Sequence, residues 1–215
     1  MKRLCLIFDL DGTLVDSEGL CNQALLDLLP ELTDSVEILT KRYRGMKLEL
    51  ILNDLASRLG DRLPEQFESS YRGRVSALFK QFLKPIAGVP EMLSSLAYPK
   101  CVASSGPPTK IRESLHLCGL SKEFGDNIFS SYIVNSWKPD PGLFLFAAKA
   151  MGHEPGECLV IEDSEVGVAA AFAAGMAAIH FAPGSHSLPR SGAIPMTCMS
   201  QLPELLEHLV INPSS

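Results

Sequence analysis

Apolar and polar positions recur at two different periods along this chain, and the change of period divides it. Residues 4–8, Leu-Cys-Leu-Ile-Phe, form an uncharged run that stops at a carboxylate, as a buried strand ending in a polar turn does. From 17 to 29 the spacing is helical, with Leu20, Ala24, Leu25 and Leu28 on one side and Pro30 just past the end. Three more helical stretches follow at 34–44, 48–59 and 64–82, punctuated by Gly45, Gly60 and the Leu63-Pro64 pair. No strand pattern interrupts 17–85.

Beyond Lys84-Pro85-Ile-Ala-Gly88 helix and strand patterns alternate. Helices are predicted at 89–97, 108–118, 141–151, 164–175 and 203–210. Strands are predicted at 101–104, 128–134, 158–161 and 178–181, and 182–194 reads as a loop rich in Ser, Pro and Gly. Such alternation implies right-handed crossovers and a mainly parallel sheet covered on both faces. The expected fold is therefore α/β, a doubly wound sheet. Residues 1–16 plus 86–215 would form its core, with a helical unit, 17–85, inserted after the first strand.

The charge distribution supports two units. Residues 17–85 carry ten Lys/Arg and ten Asp/Glu, so the formal net charge of −6 lies wholly outside that segment. A negative balance argues against nucleic acid or an anionic membrane as partner, and no apolar run approaches the ~20 residues that span a bilayer. The apolar part of the N-terminus is too short for a signal peptide and runs directly into Asp9, so a cytoplasmic protein is expected. Six cysteines lie scattered without Cys-x-x-Cys spacing, and Cys5, Cys101 and Cys158 fall in predicted buried strands, as reduced structural thiols do. The five histidines show neither i, i+3 nor i, i+4 pairing, which gives no zinc signal.

In an open parallel sheet, ligands bind outside the carboxyl ends of the strands, so polar residues just after apolar strands are the candidates. Four such places exist. Asp9 and Asp11 are two apart, on one side of extended backbone, with Gly12 and Thr13 following. An Asp-x-Asp pair is common in turns and caps. Behind a buried strand its mutual repulsion makes sense around a hard cation such as magnesium. Ser104-Ser105-Gly106 ends the second strand, where it could cap the next helix or face a phosphate. Lys138 precedes Pro139, which holds it off any helix, although a surface lysine in a proline-rich turn is the plainer reading. Glu162 and Asp163 follow the strand at 158–161, where two adjacent acids need a cation or a capping role.

All four stretches, in this order, resemble the motifs of the haloacid dehalogenase superfamily, most of whose members are phosphatases. The resemblance covers nearly the whole chain, including 17–85, which looks like that superfamily's helical cap in its β-phosphoglucomutase-like branch. Within that branch the stretches Arg44-Gly-Met-Lys-Leu48, Val102-Ala-Ser-Ser-Gly-Pro107, Trp137-Lys-Pro-Asp-Pro141, Phe146-Ala-Ala-Lys-Ala-Met151 and Ser200-Gln-Leu-Pro-Glu-Leu205 are similar to those of bacterial 6-phosphogluconate phosphatases. The resemblance implies Asp9 as nucleophile forming an aspartyl phosphate and Asp11 as general acid and base. It implies Ser104 as a hydrogen-bond donor to the transferring phosphoryl group and Lys138 as the cation pairing with nucleophile and phosphate. Magnesium would be held by Asp9, Asp11 and Asp163, with Glu162 binding directly or through water. Ser105 and Thr13 are expected at the phosphate end, and Lys47, Arg72 and Arg74 are the cap cations best suited to an anionic sugar acid.

The expected activity is magnesium-dependent hydrolysis of a small sugar or sugar-acid phosphate such as 6-phosphogluconate, by a monomer or weak homo-oligomer. A sugar phosphomutase is the nearest alternative. That branch's mutase carries a histidine twelve residues after its nucleophile, where this chain has Cys21, which favours hydrolysis. A dehalogenase has no use for the second acid or the metal. From another class, a phospho-accepting signalling domain or a non-catalytic sugar-phosphate sensor is the alternative, and the intact Asp9, Asp11, Ser104, Lys138 and Asp163 set speaks against the sensor.

Overall fold

The computed structural model describes residues 4–60, 63–183 and 192–211. Strand β1, Cys5–Phe8, is fully buried, and four helices follow it: α1, Glu18–Leu28, α2, Val36–Tyr43, α3, Leu48–Arg58, and α4, Phe67–Phe82. The chain continues through α5, Val89–Ser95, β2, Lys100–Ser104, α6, Pro108–Leu117, α7, Ser121–Phe124, and β3, Ile128–Ser130. It ends with α8, Ser131–Val134, α9, Gly142–Ala150, β4, Cys158–Glu162, α10, Glu165–Ala173, β5, Ala177–Phe181, β6, Ile194–Met196, and α11, Leu202–Ile211.

All six strands are parallel, in the order β3-β2-β1-β4-β5-β6. The period-2 alternation of β1 explains why both faces are covered. Leu6 and Phe8 join Val102, Leu159, Ile161 and Ile179 beneath α5, α6 and α11, whereas Cys5 and Ile7 join Cys101, Ala103 and Val160 beneath α9 and α10. Burying one large aliphatic side chain contributes ~1.5–3 kcal/mol, so each face is a core in its own right. In α10 the buried Gly167, Ala170 and Ala171 bring the helix close to the sheet.

The sheet order reverses between β1 and β4. From β1 the chain steps outward through β2 and β3, then returns to β4 and steps out the other way. The crevice at that reversal is where doubly wound sheets bind ligands. Asp9 N donates to Ile161 O at 2.9 Å, extending the β1–β4 ladder by one residue and placing Asp9 at its rim.

Between β1 and α5 the described residues contain helices and no strand, as expected. The two connections to this helical unit run side by side. Asp16 N donates to Lys84 O at 2.9 Å and Ile86 N to Leu14 O at 3.0 Å, so the chain enters and leaves at one point.

Three local expectations need correction. The strand foreseen at 128–134 stops at Ser130, whose hydroxyl accepts from Tyr132 N and starts a short helix instead, which Asn135 ends with φ 56°. The helix foreseen from 64 begins at Phe67, because Gln66 takes φ 58° just before it. The turn α7 and the edge strand β6 were not foreseen; β6 has three residues, one of them Pro195, which suits an edge. Of the loop foreseen at 182–194, residues 184–191 lie outside the described residues.

Candidate active site

The carboxyl ends of β1, β2 and β4 meet at a cleft of about 380 Å³, closed on its other side by α1, α4 and the turn after α2. Asp9, Glu162 and Asp163 are buried there, each with an oxygen within 4.8 Å of the others. Lys138 Nζ reaches Asp9 Oδ1 at 2.5 Å and Glu162 Oε2 at 2.6 Å. It extends from a turn rather than a helix, and the Lys138–Pro139 peptide is cis. Side-chain exposures of 5% for Lys138, 8% for Asp9 and 2% for Glu162 make this a buried ion triad and not a surface lysine.

Two capping alternatives are overturned. The N-cap of α6 is Pro107, while Ser104 Oγ accepts from Gly106 N in a tight turn at the cleft. The N-cap of α10 is Ser164, whose hydroxyl accepts from Gly167 N and donates to Glu162 Oε1 at 2.7 Å, which leaves Asp163 without a capping role.

Asp11 lines the cleft beside Asp9 but faces a different partner. Its carboxylate is outside the acidic cluster and binds Lys110 Nζ through both oxygens at 2.8 Å, with Ser17 Oγ donating to Oδ1. Thr13, fully buried, does not line the cleft; its hydroxyl points to Asp163 Oδ1 at 3.4 Å. Ser105, Lys47 and Arg72 do line it. Lys47 is paired with Glu49 and stacks 4.2 Å from the Trp137 ring centroid, and Arg72 holds Glu68 and Tyr132 Oη. Arg74 pairs with Asp27 away from the cleft lining, which corrects its expected place at the substrate.

Three participants were missed. Lys110 has just been described. Arg44, at the end of α2, grips Glu18 at 2.9 Å and stands 3.8 Å from Asp163 Oδ2. His180, opposite Glu162 on β5, hydrogen-bonds the Asp163 carbonyl at 3.0 Å. A lysine in the first turn of a helix opposes the helix dipole, so Lys110 was the one with a legible signal.

The electrostatics separate the two aspartates of the first turn. Burial, and then the charge of Glu162, pushes the Asp9 carboxyl up to about 7 despite Lys138. Burial followed by the charges of Glu162 and Asp9 raises Asp163 well above the usual range. Burial also works against an ionised Asp11, but Lys110 and the Ser17 hydrogen bond hold it below that range. Burial disfavours the Lys138 ammonium, yet Asp9 and Glu162 keep it charged, above its ordinary value. Three buried carboxylates facing one buried ammonium form an all-oxygen donor set with unbalanced negative charge, which fits a hard divalent cation such as magnesium.

Acidic residues thus meet at the switch point of a doubly wound sheet, with a lysine bridging two of them. The family model for haloacid dehalogenase-like hydrolases matches residues 4–175, and the chain belongs to that family. It is 37% identical over 211 residues to the 6-phosphogluconate phosphatase of Escherichia coli K12, covering 95% of this chain and 96% of that protein. The crystal structure of the haloacid dehalogenase-like protein ATU0790 from Agrobacterium tumefaciens superposes with a TM-score of 0.82 at 31% identity, over 96% of this chain and 98% of the other. A haloacid dehalogenase family hydrolase from Deinococcus radiodurans, solved with phosphate and sodium bound, gives 0.80 at 28% identity over 98% of both chains. The chain is a phosphatase of this family. Among the described residues no helix is long and apolar enough to cross a membrane.

Proposed function

We propose that the chain hydrolyses the phosphate ester of a small sugar or sugar acid, of the 6-phosphogluconate kind, through an aspartyl phosphate on Asp9. One observation carries this reading: the Asp9 carboxylate stands at the cleft with a lysine on one oxygen and two further buried acids beside it. Asp9 and Asp163 would hold magnesium; Glu162 has both oxygens engaged, by Lys138 and Ser164, and supports them. When bound, the ion would neutralise phosphoryl charge and screen the clustered carboxylates.

An Asp9 oxygen bonds to phosphorus as the ester oxygen leaves, and Asp11 delivers to that oxygen a proton that it first takes up against the pull of Lys110 and Ser17. A water then bonds to phosphorus, Asp11 takes its proton, and the Asp9–phosphorus bond breaks to free phosphate. Lys138 steadies the charge of Asp9, and Ser104 donates to a phosphoryl oxygen. Residues 17–85 act as a cap over a core formed by 1–16 and 86–215, closing about the paired connections at Asp16 and Lys84. On the cap side, Lys47 and Arg72 suit the anionic end of a sugar acid. Cys21, on α1, lines the cleft and offers no base for a mutase step. Six free thiols suit a reducing cytoplasm.

Phosphate release across a panel of sugar and sugar-acid phosphates, with magnesium and with chelator, tests this. Magnesium-stimulated release is expected, with 6-phosphogluconate among the better substrates. Conversion of β-glucose 1-phosphate to the 6-phosphate in excess of free phosphate would point to the mutase instead. A backbone test is Gly12→Ala. Gly12 has φ 79°, and a Cβ there would run into the Asp163 carboxylate, so the loop and a metal-holding acid cannot both keep their places. Magnesium affinity is expected to weaken by ~10–100-fold, read by calorimetric titration, and unchanged affinity would contradict the role of Asp163.

A further inference from the structure

The Asp11 carboxylate accepts three hydrogen bonds from donors outside the acidic cluster. Lys110 Nζ, from the first turn of α6, bonds Oδ1 and Oδ2 at 2.8 Å, and Ser17 Oγ bonds Oδ1 at 2.5 Å. Lys110 sits where a helix terminus disfavours a cation, so its position needs a compensating partner. Its helix offers one in Glu113, but Glu113 is turned toward Ser76 and Lys80 of α4. Among the described residues Lys110 makes no other ion pair than that with Asp11. The Phe79 ring of α4 lies 5.7 Å from its Nζ, and Lys110, Asp11 and Phe79 all border the cleft.

We propose that Lys110 is a positioning residue for proton transfer. With Ser17 it clamps the Asp11 carboxylate at the cleft, where first the departing oxygen and then the attacking water meet it. It also keeps that carboxylate from swinging into the Asp9, Glu162 and Asp163 cluster. This rests on the reading of Asp11 as the group that gives and then takes the proton. The clamp explains why two acids only two residues apart do different work: Lys138 holds one, and Lys110 holds the other.

The test compares wild type, K110M, K110R, D11N and D11N/K110M on a sugar phosphate and on p-nitrophenyl phosphate. A sugar alkoxide needs a proton to leave, whereas p-nitrophenolate does not. K110M is expected to lower kcat on the sugar phosphate by ~100-fold, the scale of a lost acid–base contribution, with KM little changed. On p-nitrophenyl phosphate it is expected to release about one equivalent of nitrophenolate in a burst, followed by slow turnover. K110R, which can still bind both oxygens, is expected to restore most of the activity. In the D11N background the lysine substitution is expected to cost nothing further. Equal losses on both substrates without a burst, or an undiminished penalty in D11N, would overturn the proposal, as would wild-type turnover by K110M. Should K110M fail to fold, K110Q carries the same comparison. A D9N variant that still turns over would instead sink the aspartyl-phosphate reading, and an active D11N the acid–base assignment.

Discussion

Asp9→Asn is expected to lose phosphatase activity by at least ~10⁴-fold while becoming more stable in the absence of metal. The amide keeps the shape of the carboxylate and can still accept from Lys138, so the site need not rearrange. What disappears is the anionic oxygen proposed to bond to phosphorus. The gain in stability follows from the raised proton affinity of Asp9, about 7 in the folded protein. An acid raised in this way binds its proton more tightly folded than unfolded, so its contribution is fully present at low pH. That contribution is lost as pH rises from the unfolded value near 4 through 7. At pH 8 the wild-type apo protein carries this penalty in full, and the amide removes it. Thermal melts at pH 8 with chelator are expected to show D9N above wild type, by ~2–4 °C for each kcal/mol relieved. The difference should vanish near pH 4 and shrink with magnesium. A lower melting temperature at pH 8 would show that the Lys138 ion pair outweighs the crowding of acids.

Lys138→Met is expected to fail in the opposite way, losing activity and stability together. Removing one partner of a buried ion pair leaves the other charges without compensation, at a cost of ~3–5 kcal/mol. Asp9 and Glu162 would face each other and Asp163 with no ammonium between them. Their protonation would relieve the repulsion, so the deficit is expected to be largest above pH 7 and smaller at pH 5. Urea denaturation at the two pH values reads this directly. An unchanged midpoint at pH 8 would mean that the lysine is not what makes the acid cluster tolerable. The two variants form a pair: one relieves charge crowding and the other removes its only buried counterweight among the described residues.

The strand-end half of the candidate site was legible because parallel strands announce their own ends. An apolar run such as Leu4 to Phe8 can stop only where the sheet stops, and the first polar residue after it must lie at the rim. Asp9, Ser104 and Asp163 follow from that rule, whereas Lys138, which alone reads as a surface lysine, is singled out only by the family resemblance. The same rule has no purchase on side chains that arrive from helix faces. Lys110 meets Asp11 across 99 positions, and Arg44 meets Glu18 across 26. Which way each points depends on how α6 and the turn after α2 are docked. Arg74 and Arg72 stand two apart on α4, hence roughly half a turn apart, and only one of them could face the cleft. The short edge strand β6 was missed because three residues including Pro195 carry too little alternation to read.

The adjacent entry and exit of the helical unit have a consequence for how such proteins diversify. Because residues 16 and 84 are already hydrogen-bonded neighbours, the span between them could be shortened, lengthened or exchanged for another module at small closure entropy. No strand of the sheet would need rethreading. The acids at the ends of β1 and β4 would stay in place while a transplanted lid brought its own preference for the organic half of the ester and its own replacement for the Ser17 hydroxyl on Asp11.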